Sequence, residues 1–154
     1  MAATIAERLA ELGIVLPTPA AAVANYLPAR RSGDLLVVSG QLPLESGVVR
    51  FKGKLGAGVS IEEGQAAARL CAINILAQLQ AVCGDLDRVV ACVRLGGFVA
   101  CTPEFTDHPK VVNGASDLIV AVLGDAGRHA RAAVGVASLP LDAAVEVEGM
   151  FEIR

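Results

Sequence analysis

The chain has 154 residues, with 13 basic and 16 acidic side chains and a formal charge of −3. This length predicts one compact domain, and an acidic chain lacks the clustered Lys and Arg that electrostatic binding to nucleic acid requires. Apolar residues make up 54% of the sequence and charged residues 19%, which excludes a disordered tail protein. Because so apolar a chain would expose apolar surface as a monomer, we expect it to associate with copies of itself.

The N-terminus and the longest apolar segment both argue against export and membrane insertion. Residues 1–13 include Glu7, Arg8 and Glu11, so they lack the uninterrupted apolar stretch of a signal peptide. The segment 66–83 is interrupted by polar residues such as Arg69, and it therefore predicts a packed amphipathic helix rather than a transmembrane helix.

The cysteines predict a reducing environment and no metal site. No two of them have the two-residue spacing typical of zinc and redox motifs. Each lies in apolar surroundings, so we expect buried, reduced thiols and a location in the cytosol. The four are Cys71, Cys83, Cys92 and Cys101.

The chain opens with a short helix that we place outside the main domain. Thr4 and Glu7 form a capping-box pair, and Gly13 can end the helix in a left-handed conformation. The connector that follows contains prolines. We therefore interpret residues 1–19 as a helical extension and residues 20–154 as the main domain.

Two longer helices are predicted in the main domain. A second capping box, Ser60 with Glu63, opens a helix that ends at Gly84 and covers a sheet with its apolar face. A later helix, with Pro109 in its first turn, is predicted over 107–124.

Hydrophobic runs and β-branched residues predict the strands. The first strand should run into a tight loop at Ser39–Gln41, and the long third strand should have a bulge or bend at Gly96–Gly97. The order of elements predicts an α+β domain with a mixed sheet and with helices on one of its faces. The predicted strands are 35–38, 48–51, 89–101, 132–137 and 143–153, and the first two of them are predicted to pair as a hairpin.

The last predicted strand places two carboxylates on one sheet face, because Glu146 and Glu148 alternate with valines. A solvated outer face explains this arrangement simply. The alternative is a carboxylate in a shared crevice.

Two segments carry a pattern in the same order as a known family. In residues 35–43 a hydrophobic run is followed by Ser-Gly-Gln-Leu-Pro, and in residues 131–148 an arginine opens a strand that continues into Val-Gly-Val-Ala-Ser-Leu-Pro and ends in Val-Glu-Val-Glu. Together they resemble the RidA family, also called YjgF/YER057c/UK114 or endoribonuclease L-PSP. The resemblance extends over about residues 20 to 154.

The resemblance implies a chorismate-mutase-like fold and a homotrimer with a barrel-like core of sheets and clefts at the subunit interfaces. For the catalytic branch it implies hydrolysis of reactive 2-enamine and 2-imine acids, such as 2-aminoacrylate, to 2-keto acids and ammonia without a cofactor. The chemistry asks little of the protein. An imine carbon is already electrophilic, so holding the carboxylate and presenting a water provide much of the acceleration.

The resemblance also implies which residues act. Arg131 matches the arginine that grips the substrate carboxylate, which suits the bidentate fork of a guanidinium. Tyr26 and Ser39, thirteen residues apart, match a cleft tyrosine and serine that could orient water or the imine nitrogen. Glu146 matches a glutamate that holds water or shuttles a proton. A surface arginine and a rim tyrosine are the simpler alternatives for Arg131 and Tyr26.

Two further positions match the binding cleft. Asn113 resembles the cleft asparagine, although an ordinary asparagine on a helix face explains it equally well. Gly40 matches a glycine whose amide faces the ligand. The chain departs from the family at His129 and Ala133, where many members have Pro and Cys. His129 and its neighbour Arg128 either alter the mouth of the cleft or lie in an exposed loop.

Three other functions can be compared with the sequence. A non-catalytic protein could use the same cleft to sense a small carboxylate such as a keto acid. An RNase or translation-inhibitor role, attached to the older family name, conflicts with the acidic composition. Chorismate rearrangement rests on the fold alone, which does not confer function. We expect neither a membrane nor a nucleic-acid partner.

Overall fold

A mixed five-stranded sheet forms the framework of the computed structural model, which describes residues 1–19, 21 and 24–154. The strands are β1 (Ala29–Ser32), β2 (Leu35–Gln41), β3 (Leu44–Glu45), β4 (Val48–Val49), β5 (Lys54–Leu55), β6 (Gly58–Val59), β7 (Val89–Ala100), β8 (Ala130–Val136) and β9 (Val145–Ile153). The sheet order is β1-β2-β9-β7-β8; β7 and β8 run parallel and the other neighbours antiparallel. Two pairs of two-residue strands, β3 with β4 and β5 with β6, lie outside it.

Two helices cover one face of this sheet, as the sequence predicts. These are α2 (Ile61–Cys83) and α3 (His108–Leu123), while the short α1 (Ile5–Glu11) packs against α3. Alternate residues of the central strands turn toward α2 and α3 and are fully buried. They include Leu36 and Val38 on β2, Leu95 and Val99 on β7, and Val147 and Phe151 on β9.

Local capping fixes the helix ends where the sequence places them. The Thr4 hydroxyl accepts a hydrogen bond from the Glu7 amide at 3.2 Å, and the Glu7 carboxylate accepts one from the Thr4 amide at 2.8 Å. Ser60 accepts from the Glu63 amide at 3.1 Å, but the Glu63 carboxylate does not bond back to the Ser60 amide, so only half of the predicted second capping box forms. Helix α2 ends at Gly84, whose φ of 75° favours glycine.

Helix α2 is long and apolar enough to cross a bilayer by length and composition alone. It packs against the sheet and α3, and 56% of its most apolar window is buried. Burial inside the fold accounts for the apolar character of α2. This agrees with the prediction that residues 66–83 form a packed helix.

The N-terminal segment is attached to the main domain by α1. Leu9 is buried, and Arg8 Nη1 donates to the Val122 carbonyl at 3.1 Å. The predicted boundary at residues 19 and 20 falls at Ala20, which lies outside the described residues.

Two predictions about the first strand are wrong. Ser39–Gln41 is not a tight loop, because β2 continues through it to Gln41 with a register shift against β9 after Val38. Residues 48–51 do not pair with this strand either. Val48 and Val49 close a short hairpin with Leu44 and Glu45, while β2 pairs with β1 and β9. A bulge absorbs an extra residue without ending the strand, so the glycine that suggested a loop marks an irregularity within the sheet.

The expected bulge at Gly96–Gly97 is also wrong. Both glycines pair regularly with β9, opposite Glu148 and Val147, and the register shifts of β7 lie nearer its start, between Val89 and Arg94. The glycines are needed for space. A Cβ on Gly97 would come within 2.5 Å of the Val112 side chain on α3, and one on Gly96 would come within 2.8 Å of the Glu148 carboxylate.

The sheet face opposite the helices is partly apolar and partly exposed. Leu35 and Val37 on β2 are 39% and 41% exposed, and Val134 on β8 is 45% exposed. The two edges of the sheet differ. On β1, Arg30, Arg31 and Ser32 are exposed, whereas the exposed residues of β8 are alanine, valine and glycine.

Close packing of α3 on α2 predicts an unusual response to a helix-favouring substitution. A Cβ on Gly114 would overlap the backbone carbonyl oxygen of Gln65 on α2. Although alanine favours a helix over glycine by about 1 kcal/mol, we expect Gly114→Ala to lower the free energy of unfolding by about 2 kcal/mol because the helices must separate. Urea denaturation followed by circular dichroism measures this change, and a stabilised variant would contradict the packing.

Candidate functional site

Arg131 lies on the helix face of β8 and reaches α3. Its Nη1 donates to Asn113 Oδ1 at 2.8 Å and to Ser116 Oγ at 3.1 Å, and its Nη2 makes a weak 3.5 Å contact with the Pro109 carbonyl. All three acceptors are neutral. Within the described residues no carboxylate forms an ion pair with this guanidinium, and no acceptor faces its Nε. The side chain is therefore oriented on one side and keeps an uncompensated positive charge on the other.

A chain of hydrogen bonds lies behind Arg131. His129 Nδ1 is 2.6 Å from the Gly127 carbonyl, and its Nε2 is 2.9 Å from Ser116 Oγ. Because a carbonyl only accepts, the proton of the neutral imidazole lies on Nδ1. Nε2 then accepts from the Ser116 hydroxyl, whose oxygen accepts in turn from Arg131. His129 thus orients the serine that orients the arginine.

These contacts settle one alternative left open by the sequence. Arg128 is exposed, as expected of a loop residue, and pairs with Asp125 at 3.4 Å. His129 is partly buried and is not an exposed loop residue. The sequence interpretation did not identify Ser116, although it lies three residues after Asn113 and so on the same face of α3.

A second group of predicted residues lies around the bulge in β2. Ser39 Oγ donates to the Leu27 carbonyl at 2.7 Å, next to Tyr26, whose side chain is half exposed. The Glu146 carboxylate lies directly against the Cα of Gly40, since a Cβ there would overlap Glu146 Oε1. Gly40 is therefore required for space, and the contact brings Ser39, Gly40 and Glu146 to one place.

Burial changes the acid strength of this carboxylate. Partial burial, and secondarily the nearby negative charge of Glu148, raises the pKa of Glu146. Glu148 itself lies 3.7 Å from Arg94 Nη1. A raised pKa makes Glu146 better suited than an ordinary glutamate to exchange a proton near neutral pH.

The two groups lie on opposite faces of the sheet. Arg131 pairs with the buried Leu95 and turns toward α3, whereas Glu146 pairs with Phe98 and turns toward the open face. Strand β7 separates them. A single chain therefore brings Arg131 together with Asn113, and Glu146 together with Gly40 and Ser39, but it does not bring the two groups together.

Neither group forms a cation site with the residues that the structure describes. In the part of the chain that the structure describes, no three His, Cys, Asp or Glu side chains converge as metal ligands would. The groups available for chemistry are a guanidinium, a carboxylate, hydroxyls and backbone amides, a set that suits binding a small anion and moving a proton.

Comparison with known proteins covers nearly the whole chain. The family model that matches residues 6–152 is described as YjgF/chorismate mutase-like and carries an endoribonuclease label. Protein TCP17 of Trypanosoma cruzi is 51% identical over 151 residues, which are 97% of this chain and 94% of that protein.

Solved structures show the same fold with different degrees of similarity. The protein Atu1372 of Agrobacterium tumefaciens, of unknown function, is 52% identical with a TM-score of 0.92 and covers 97% of this chain and 92% of its own. RidA of Psychrobacter is 28% identical with a TM-score of 0.61, covering 88% and 94%. The backbone thus resembles Atu1372 more closely than it resembles RidA.

The raised pKa of Glu146 predicts a pH-dependent contribution to stability. The folded state holds this proton more tightly than the unfolded chain, so the contribution is complete below about pH 4.5, the ordinary value, and is lost as pH rises through the raised pKa. We expect Glu146→Gln to reduce the loss of unfolding free energy between about pH 4.5 and about pH 8, measured by urea titration. Glu152→Gln, an exposed position on the same strand, is the matched control. An unchanged pH difference in Glu146→Gln would contradict this assignment.

Proposed function

Since the chain belongs to the YjgF/chorismate mutase-like family, we propose that it hydrolyses 2-enamine and 2-imine acids to 2-keto acids and ammonia, at sites shared by neighbouring protomers of a homotrimer. The observation that supports this most directly is the guanidinium of Arg131. It is oriented by Asn113 and Ser116, has no carboxylate partner among the described residues, and has its Nε free for a ligand. A small planar carboxylate fits that edge.

Glu146 supplies the proton transfers in this proposal. An enamine first moves a proton from its nitrogen to its β-carbon and becomes the imine. Water then adds to the imine carbon, and Glu146 transfers one proton from this water to the nitrogen, which gives a carbinolamine. Glu146 next transfers the hydroxyl proton to the nitrogen, so that the C–N bond breaks, the C=O bond forms and ammonia leaves. The raised pKa of Glu146 suits both roles. Ser39 and Tyr26 contribute hydroxyl groups that orient the water or the nitrogen, and the Gly40 amide faces the ligand.

The arrangement of the sheet supports a site between protomers. Arg131 and Glu146 lie on opposite faces of one sheet, so a ligand that touches both needs Arg131 from one copy and Glu146 from another. The exposed apolar side chains of the open face, including Leu35, Val37 and Val134, favour burial against such a copy. A head-to-tail interface whose rotation is about 120° closes into a ring of three, which is the arrangement that this proposal requires.

The same groups support a second function without catalysis. Arg131 alone could hold a keto acid. Because the backbone matches RidA of Psychrobacter with a TM-score of only 0.61, this chain could share the fold and bind such a ligand without hydrolysing imines. Turnover by the wild-type protein separates the two functions. The proposal also includes a reducing cytosolic setting, supported by the four free cysteines.

Loss of Arg131 should remove activity. We expect Arg131→Ala to lower kcat/KM for freshly generated 2-aminoacrylate about 100-fold, because truncating one partner of a hydrogen-bonded charge pair costs several kcal/mol. Ammonia release measures turnover, and calorimetry with a 2-keto acid measures binding. Arg128→Ala, at an exposed position three residues away, is the matched control. Binding without turnover in wild type would favour the binding protein, and equal activity in wild type and Arg131→Ala would overturn the role of Arg131.

Mixed oligomers test whether the site is shared. Arg131→Ala and Glu146→Gln should each lose most of their activity alone, but random co-assembly of equal amounts should restore about one quarter of the sites, since each shared site needs one intact residue from each of two protomers. Co-expression of differently tagged chains, with light scattering for the oligomeric state, measures this. No recovery in a confirmed mixed oligomer would place both residues in one protomer's site and contradict the shared cleft.

A further inference from the structure

A cavity of about 330 Å³ lies where β7 ends and α3 begins. Cys101 and His108 line it together with the hydroxyl-bearing Thr102 and Thr106. Among its described lining residues there is no Asp, Glu, Lys or Arg. The volume lies at the small end of the range for small-molecule pockets, and the lining favours an uncharged occupant. Arg131 is not part of this lining.

A thiol and an imidazole meet in this cavity. Cys101 Sγ lies 3.4 Å from His108 Nε2. The Cys101 amide donates to the Val136 carbonyl at 3.1 Å, which fixes the backbone, and the His108 ring packs edge-on against Phe105 with 5.6 Å between centroids. Both members of the pair are therefore held by contacts other than the one they make with each other. The sequence interpretation placed Cys101 among the buried thiols, but it is only partly buried.

Gly135 on β8 makes room for the pair. A Cβ at this position would lie 2.5 Å from His108 Nε2 and 2.7 Å from Cys101 Sγ. Gly135 is not among the residues with positive φ, so its backbone does not require glycine. Space for the thiol and the imidazole is the reason that the structure gives for a glycine here.

The other three cysteines differ from Cys101 in their surroundings. Cys71, Cys83 and Cys92 are buried in the core. Burial raises the pKa of all three, that of Cys92 to about 12. They are therefore protected and unreactive, and they serve as internal standards for Cys101.

We propose that Cys101 and His108 form a nucleophilic pair that captures small, uncharged α,β-unsaturated carbonyl compounds as thioethers. His108 Nε2 accepts the thiol proton, and the sulfur forms a bond to the β-carbon of the electrophile. The carbon–carbon π pair moves to the α-carbon, which takes the proton back from the imidazole. The sum is the addition of S–H across a double bond, with no oxidation, reduction or leaving group. The inference does not depend on the deaminase function, since it uses none of that site's residues.

Competitive labelling of the intact protein tests the pair. N-ethylmaleimide is supplied at limiting concentration, and peptide mass spectrometry gives the rate at each cysteine. We expect Cys101 to react at least about 10-fold faster than any of the other three, and His108→Gln to slow it about 10-fold or more. His129→Gln removes the one other histidine of the chain and is the matched control, with labelling unchanged.

A second variant tests the geometry. Gly135→Ala should slow Cys101 labelling, because its methyl group forces the thiol and the imidazole apart. Circular dichroism checks that each variant is folded. If His108→Gln does not fold, the labelling rates of the four cysteines in the wild-type protein, together with the effect of Gly135→Ala, still test the proposal. Labelling of Cys101 no faster than that of the core cysteines, or an unchanged rate in folded His108→Gln, would overturn the proposal.

Discussion

The position of α3 fixes the geometry of the candidate site residues, and the close approach of Gly114 to the α2 backbone limits where α3 can lie. One helix supplies the Asn113 and Ser116 oxygens to Arg131, the Val112 side chain that fills the space above Gly97, and the His108 ring at Cys101. Because packed helices and sheets yield little to strain, a shift of α3 would disturb all of these contacts together. Arg131 and the Cys101–His108 pair therefore depend on the same helix for their positions.

Local signals in the sequence identified much of this architecture. Capping residues such as Thr4 and Ser60 act on amides three residues away, so their effect is visible without knowledge of the fold. Alternation along β9 placed Glu146 and Glu148 on one face, because strand geometry fixes the direction of every second side chain. The resemblance to a family matched Arg131 and Asn113 separately to residues of one cleft, and the structure places their side chains 2.8 Å apart.

Other features depend on contacts between distant segments and could not be predicted. Gly40 and Gly97 looked like a loop and a bend, but each is small because Glu146 or Val112 fills the adjacent space. Nothing near Cys101 in the sequence indicates that the Gly135 backbone leaves room for His108 beside it. The chain of hydrogen bonds from His129 through Ser116 to Arg131 forms only because β8 lies beside α3. A local segment of sequence indicates only which secondary structure its residues prefer, whereas these roles arise from contacts between segments that are distant in the chain.

The two edges of the sheet differ in how readily they would admit another strand. Strand β1 ends the sheet with exposed arginines, which discourage another chain from adding there, while β8 offers small apolar side chains and unpaired backbone groups. The edge at β8 therefore keeps backbone donors and acceptors with which a further strand could pair, and the charged edge at β1 does not admit one as readily. Strand addition at β8 is thus the route by which this sheet could be extended by another chain.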